Sequence, residues 1–245
     1  MNKTVEGIVL STRDYREADA ILSVFCKEEG IQSFVARGLR KLASKNAGST
    51  QVFTYARFHV DFHEQKTMHA MRTADIVESY RGIREDLVKQ AIASVICECM
   101  GKSEWEDGEE GFLVLKQSLD YLQSTTQPYA LAALFLSMMN RMQGIEPYVE
   151  GCVHCGNTAH ITSISIKQGG FICANCERDN QTYAYGKDDL KCFRLVCKAE
   201  LEHFPILETY QDWTYEHFMM MYRFFEEYSG IPLRSMRFLK CLQEL

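Results

Sequence analysis

The spacing of apolar positions changes near residue 80. Before it, apolar residues come in short β-branched runs or alternate with polar ones, the period-two signature of strands. Val5 to Leu10 is one such run, followed by a polar stretch, Ser11 to Asp19, that reads as a bend. Ala20 to Cys26 and Ile31 to Ala36 are two more, joined through Glu28-Glu29-Gly30, a plausible hairpin turn. From Phe53 to Phe62, Phe58, Val60 and Phe62 fall on one face and Arg57, His59 and Asp61 on the other; Thr67 to Arg72 reads as a fifth strand. Five short strands at intervals of roughly ten residues predict a small barrel. Between the third and fourth lies Arg37 to Ser49, a basic loop bearing Gly and Ser with no strong apolar pattern.

Beyond residue 80 the spacing is helical. Asp86–Ile96, Phe112–Leu122, Tyr129–Met142, Asp188–Phe204 and Tyr215–Glu227 carry apolar residues at helix intervals. Pro128 stands near the start of the third, where proline is tolerated, and Gly144 and Pro147 end it. The reading is an α+β multidomain chain: a barrel over 1–80, helices over 81–148, a cysteine-bearing module over 149–185, and further helices over 186–245. The run Met219-Met220-Met221 with Tyr222, Phe224 and Phe225 reads first as core and second as an adaptable docking groove.

The chemistry is concentrated in that module. Cys152-x-x-Cys155 and Cys173-x-x-Cys176 are separated by 17 residues, within the range for a tetrahedral zinc site. A two-residue gap lets both sulfurs of a pair turn to one ion, and Gly156 suits the tight turn such a knuckle needs. Four thiolates leave no open coordination position, so the expected Zn2+ is structural. His154 can replace a sulfur only if four cysteines do not already complete the set. The other six cysteines are scattered without a disulfide framework, and the start of the chain lacks a basic-then-apolar leader; both lead us to expect reduced thiols and a cytoplasmic setting.

Composition adds little: 46% hydrophobic, 24% charged and a net charge of −6 describe an ordinary globular chain. Charge placement adds more. From Ile31 to Val60 there is no acid, yet Arg37, Arg40, Lys41, Lys45 and Arg57 are present. Glu98, Glu104, Glu106, Asp107, Glu109 and Glu110 supply an acidic counterweight. A local basic zone on an acidic chain suits a phosphate-backbone ligand, with a solvated loop as the plain alternative. Gly101-Lys102-Ser103 lacks the glycine a phosphate loop needs at position 96, which is Ile. No metalloprotease, nucleophile-elbow or dinucleotide motif is present, so a binding protein is expected rather than an enzyme.

Taken in order, these segments resemble the bacterial RecO family of recombination mediators. Gly7 to Asp19 is similar to the family's first strand and turn, and Phe34 to Lys41 to its basic strand-to-loop element. Gly151 to Gly156 with Cys173 and Cys176 resembles its zinc module, and Leu233 to Leu239 its C-terminal helix. The resemblance spans essentially the whole chain. It implies an N-terminal five-stranded OB-fold followed by an all-α domain carrying the four-cysteine module. It also implies binding of single- and double-stranded DNA, annealing of complementary strands coated by single-strand-binding protein, partnership with RecR, indirect help to RecA, and a nucleoid-associated, cytoplasmic location. Carried onto this chain, Arg37, Arg40, Lys41 and Lys45 become the phosphate contacts, with Arg13 and Arg16 beside them. Tyr15, Phe34, Tyr55 and Phe58 become candidates for base stacking, and Arg234, Arg237 and Lys240 a candidate protein-docking site. The competing expectation is a zinc-stabilised adaptor for proteins whose DNA binding is incidental.

Overall fold

The computed structural model describes residues 1–63, 65–105, 107–177, 182–210 and 212–244. Glu106 of the acidic segment and residues 178–181 of the cysteine module lie outside the described residues. In chain order the strands of the first part are β1 (Asn2–Tyr15), β2 (Asp19–Cys26), β3 (Gly30–Ala36), β4 (Tyr55–Asp61) and β5 (Met68–Glu78). Helices α1 (Arg81–Arg84), α2 (Leu87–Lys102), α3 (Gly108–Ser124) and α4 (Pro128–Met142) follow. Then come β6 (Ile161–Ser165), β7 (Gly170–Cys173), β8 (Thr182–Ala184), α5 (Lys187–Lys198), α6 (Phe204–Glu208), α7 (Tyr215–Tyr228) and α8 (Met236–Cys241). The chain forms two compact units, one of residues 1–124 with 233–245 and one of residues 125–232.

In the first unit the five strands close a barrel in the order β1-β2-β3-β5-β4. Every pairing is antiparallel except β3 on β5, which lies parallel from Ser33↔Met68 to Ala36↔Met71. This is the OB-fold. Its interior is filled by Val5, Val9, Leu22, Val24, Phe34, Phe58, Val60 and Met71 among others. Strands β1 and β2 are buried on both faces in their middle sections. One face lines the barrel; the other meets α2, α3 and the loop between them, where Trp105 stands edge-on to Phe25 at 5.9 Å. That double burial explains why Val5–Leu10 and Ala20–Cys26 read as continuous apolar runs rather than alternations.

Three details differ from the sequence expectation. Ser11 to Tyr15 is not a bend: it continues β1 past a register shift between Val9 and Ser11 and pairs with β2 out to Tyr15↔Asp19. These residues are polar because they are mostly exposed beyond the core, not because they lack a strand partner. Phe53 sits outside the fourth strand with φ 71°, at a turn where its N–H donates to the Val9 carbonyl at 2.8 Å. The fifth strand runs six residues further, to Glu78, because Ala74 still faces the barrel interior.

Helix α2 starts where Asp86 accepts hydrogen bonds from the N–H groups of Val88 and Lys89, an N-cap. The chain returns to this helix at its far end. Leu233, Met236 and Leu239 are buried, and the Glu98 carboxylate accepts from the Ser235 N–H at 2.8 Å and hydroxyl at 2.7 Å. Lys102 pairs with the other carboxylate oxygen at 2.7 Å. Burial pulls the Glu98 pKa upward, but the Lys102 ammonium and the Ser235 donors outweigh it and hold it at about 2.

In the second unit α4 is buried from Ala130 to Asn140 on all sides, packed by α5, α6 and α7. The Met/aromatic run lies on α7 with Met220, Met221, Tyr222, Phe224 and Phe225 buried, so it is core. The expected helix to Phe204 breaks at Lys198. Ala199 is extended, and the Arg141 guanidinium donates to the carbonyls of Cys197 and Ala199 at 3.0 and 2.9 Å, taking acceptors that a continuing helix would use. Among the described residues no helix is long and apolar enough to cross a membrane.

Candidate nucleic-acid interface and metal centre

The basic residues expected to meet phosphate belong to two chain segments that the fold ties together. Gly38 N–H donates to Asp19 Oδ1 at 2.8 Å, and Arg40 N–H donates to the Ala18 carbonyl at 3.0 Å. The turn after Arg13 and Arg16 is thereby stapled to the strand end that carries Arg37, Arg40 and Lys41. Further along, Asn46 clips the loop to β5: its amide donates to the Arg72 carbonyl and its Oδ1 accepts from Ala74 N–H, both at 3.3 Å. Thr50 Oγ1 donates back to the Asn46 carbonyl at 2.7 Å. The loop is thus held at several points although it has no strand of its own.

Arg13, Arg16, Arg37, Arg40, Lys41 and Lys45 are all exposed. Arg37, Lys41 and Lys45 make no ion pair with another described residue, whereas Arg40 pairs with Asp14 at 3.1 Å. An exposed pair of this kind contributes little and yields readily to a competing anion. Arg57, the fifth cation of the acid-free zone, is committed to Glu6 at 2.8 Å and stands apart in role. Of the aromatic candidates, Phe34 and Phe58 are fully buried in the barrel, 5.5 Å from each other, and Tyr55 is buried with its hydroxyl donating to Glu6. These three are core, because their strand positions face inward or meet the helices. Tyr15 alone is partly exposed, with the Arg16 guanidinium 5.0 Å over its ring.

The four cysteines of the module converge. Their sulfurs all lie within 4.8 Å of one another, and Cys155 Sγ stands 3.7 Å from Cys173 Sγ. A tetrahedron with Zn–S bonds of about 2.3 Å has S···S edges of about 3.8 Å, so the donor set fits one ion. Cys152 and Cys173 are buried while Cys155 is exposed. The first knuckle closes through Gly156 N–H to the Cys152 carbonyl at 2.8 Å, with Gly156 at φ 71°, and the second through Cys176 N–H to the Cys173 carbonyl at 2.9 Å. His154 is not part of the cluster.

The electrostatics favour a cation. Burial opposes ionisation of Cys152, yet the backbone N–H groups of Cys173, Cys155 and His154 aim at its sulfur and bring its pKa down to about 6. Cys176 is pushed up to about 12 by hydrogen bonds to Cys155 and Cys173, because a last negative charge among crowded sulfurs is costly. A divalent ion removes that cost. Behind the knuckles, β7-β6-β8 forms a small sheet that the sequence reading did not resolve. Gly170 is required there: a side chain would begin 2.2 Å from the Tyr148 carbonyl.

The sequence reading also missed a cationic stripe. Lys187, Lys191, Arg194 and Lys198 stand on α5 at i, i+4, i+7 and i+11, one face of the helix over about 16 Å. Lys187, Lys191 and Arg194 line a cleft of ≈ 820 Å³ with His160, Thr162 and Tyr185. Lys191 pairs with Asp188, and Arg194 and Lys198 share Glu150. The spacing was legible, but neighbouring acids masked it in any count of charge.

The candidate partner residues Arg234, Arg237 and Lys240 are exposed at α8, next to Phe238, which is half-exposed.

An OB-fold barrel followed by helices with a four-thiol module defines a class of DNA repair and recombination proteins. The chain belongs to the RecO family. The family model "Recombination protein O N terminal" matches residues 1–80 and "Recombination protein O C terminal" matches residues 84–237. It is 29% identical over 243 residues to "DNA repair protein RecO" of Halalkalibacterium halodurans, covering 98% of this chain and 95% of the relative. The proteins of the same name from Bacillus cereus (strain AH187) and Bacillus anthracis are each 28% identical over 247 residues, covering 100% of this chain and 99% of the relative.

Proposed function

We propose that this protein is a non-catalytic mediator that binds single- and double-stranded DNA and anneals complementary strands. In this reading it acts on strands coated by single-strand-binding protein and, with RecR, assists loading of RecA. The observation that carries it is the basic end of the barrel: Arg13, Arg16, Arg37, Arg40 and Lys41 gathered by the Gly38–Asp19 and Arg40–Ala18 hydrogen bonds, with Lys45 further along the clipped loop. Cations on a pinned loop neutralise phosphates and release counterions without first having to order themselves. Annealing needs two strands with their repulsion screened, and the α5 stripe is our candidate for a second backbone contact. The ion is zinc, held by Cys152, Cys155, Cys173 and Cys176 in a closed, structural site. Residues 1–80 are the DNA-binding part, 149–185 the zinc module, and 81–148 with 186–245 the helical parts around it. Arg234, Arg237 and Lys240, exposed on and beside α8, suit the acidic tail of a single-strand-binding protein. The location is cytoplasmic and nucleoid-associated.

The test is annealing of two labelled complementary oligonucleotides precoated with single-strand-binding protein, at low and high salt. Fast, salt-sensitive annealing without a nucleotide cofactor is expected. A folded, zinc-loaded sample that leaves the rate unchanged but binds RecR tightly overturns this reading in favour of a protein adaptor.

A further inference from the structure

We infer that Leu42 is a wedge that enters the base stack of DNA seated on the basic loop. The inference rests on the phosphate-contact reading above and adds a contact to the bases themselves. Leu42 is fully exposed, at 111% of its reference area, above every other large apolar side chain in the described residues; Met1 is next at 83%. Leu39, three residues earlier on the same loop, turns inward and packs against the barrel core. The loop therefore has an apolar anchor at one position and an apolar tip at another.

A single exposed leucine is unremarkable on most surfaces. Two further observations set this one apart. First, its backbone is held. Lys41 N–H donates to the Gly38 carbonyl at 3.2 Å and Ser44 N–H to the Lys41 carbonyl at 2.9 Å, so one hydrogen-bonded turn ends just before Leu42 and the next contains it. The Gly38–Asp19, Arg40–Ala18 and Asn46–β5 bonds fix the loop before and after it. A side chain on a held turn cannot fold back to cover itself cheaply, and it loses little freedom when it inserts. Second, its setting is cationic: Arg40 and Lys41 precede it, Lys45 follows, and no acid occurs between Ile31 and Val60. An apolar tip flanked by phosphate-binding cations is the arrangement by which proteins insert a Leu, Ile, Met or Phe between base steps and partly unstack them. Lysine and arginine side chains that reach phosphates on either side leave the shorter side chain between them facing the base edges. The ligand is thus a stacked base step, at a duplex end or a single-strand/duplex junction, rather than phosphate alone. For a strand-annealing protein, holding one step open would let a growing duplex correct its register.

The experiment uses the full-length, zinc-loaded protein and a DNA junction carrying 2-aminopurine at the last base pair, whose emission rises when it unstacks. Wild type, Leu42→Met and Leu42→Ala are compared at saturating protein, with affinity measured at several salt concentrations. The expected result is a several-fold rise with wild type and Leu42→Met, and loss of most of that rise with Leu42→Ala. The salt dependence should be unchanged in Leu42→Ala, because the phosphate contacts remain, while affinity for the junction falls a few-fold with the lost base contact. Substitution at a fully exposed position should leave the melting temperature as it was. A wild-type rise in emission from Leu42→Ala overturns the wedge while the phosphate reading stands, and the same rise joined to weakened binding of a protein partner would assign Leu42 to that partner instead. Absence of salt-dependent DNA binding by the wild type overturns both.

Discussion

At the scale of single residues, the proposed DNA binding rests on which cations of the basic loop lack an ion pair. Lys41 and Lys45 have no ion-pair partner among the described residues, while Arg40 is shared with Asp14. Neutralising Lys41 and Lys45 to glutamine should flatten the plot of log affinity against log salt for single-stranded DNA by about 1.4, at about 0.7 per lost phosphate contact. Titrations of labelled oligonucleotide at four salt concentrations measure that slope. Glu98 is a second case. Its pKa lies at about 2 in the folded chain against 4.5 for an unperturbed Glu, so folding favours its ionised form. The stabilisation is complete above the unfolded value and fades as pH falls from about 4.5 toward 2. Glu98→Gln, which keeps the shape and removes the charge, should cost about 2 kcal/mol at neutral pH. In urea titrations across pH, the gap between wild type and variant should close in acid.

At the scale of elements, the cysteine module is where local pattern and tertiary packing divide the work. The knuckles were readable because a two-residue gap fixes two sulfurs with no help from distant chain. The sheet β7-β6-β8 was not, since its strands are only three to five residues long and are defined by one another. Metal removal should therefore unfasten the module rather than a catalytic step. Stripping the ion with a thiol reagent should release one zinc per chain, measured by a colorimetric chelator, and open residues near 150–177 to protease. Gly170→Ala should do similar damage without touching a ligand, costing about 3 kcal/mol by overpacking, since its Cβ would meet the Tyr148 carbonyl at 2.2 Å. The same division explains β1. Its polar end reads as a bend because patterning reports burial, and Ser11 to Asp14 pair with β2 while remaining exposed.

At the scale of the whole molecule, the chain's two ends meet in one unit: residues 233–245 pack with residues 1–124. Leu233, Met236 and Leu239 give α8 its buried face, and Glu98 caps its start. Ending the chain after Pro232 strips three buried side chains from that unit, a loss on the order of 5 kcal/mol, comparable to the net stability of a typical domain. Such a truncation should melt far below the full chain in a calorimeter, or aggregate, whereas Glu98→Gln should melt only a few degrees lower. The segment's family resemblance marks it as a helix, but no local signal says that it returns to the N-terminal unit.

Sequence alone determined the barrel-then-helix order, the two cysteine pairs and the basic zone, because each is written in short-range spacing: alternation, a two-residue cysteine gap, a run without acids. Tertiary structure decided what those features face. It separated Phe34 and Phe58, which fill the barrel, from Tyr15, which stays partly open. It joined Arg13 and Arg16 to Arg37 and Arg40 through hydrogen bonds across some twenty residues of chain. It also left Leu42 outside while turning Leu39 in. Burial and proximity are properties of a closed sheet, and no window of neighbouring residues contains them.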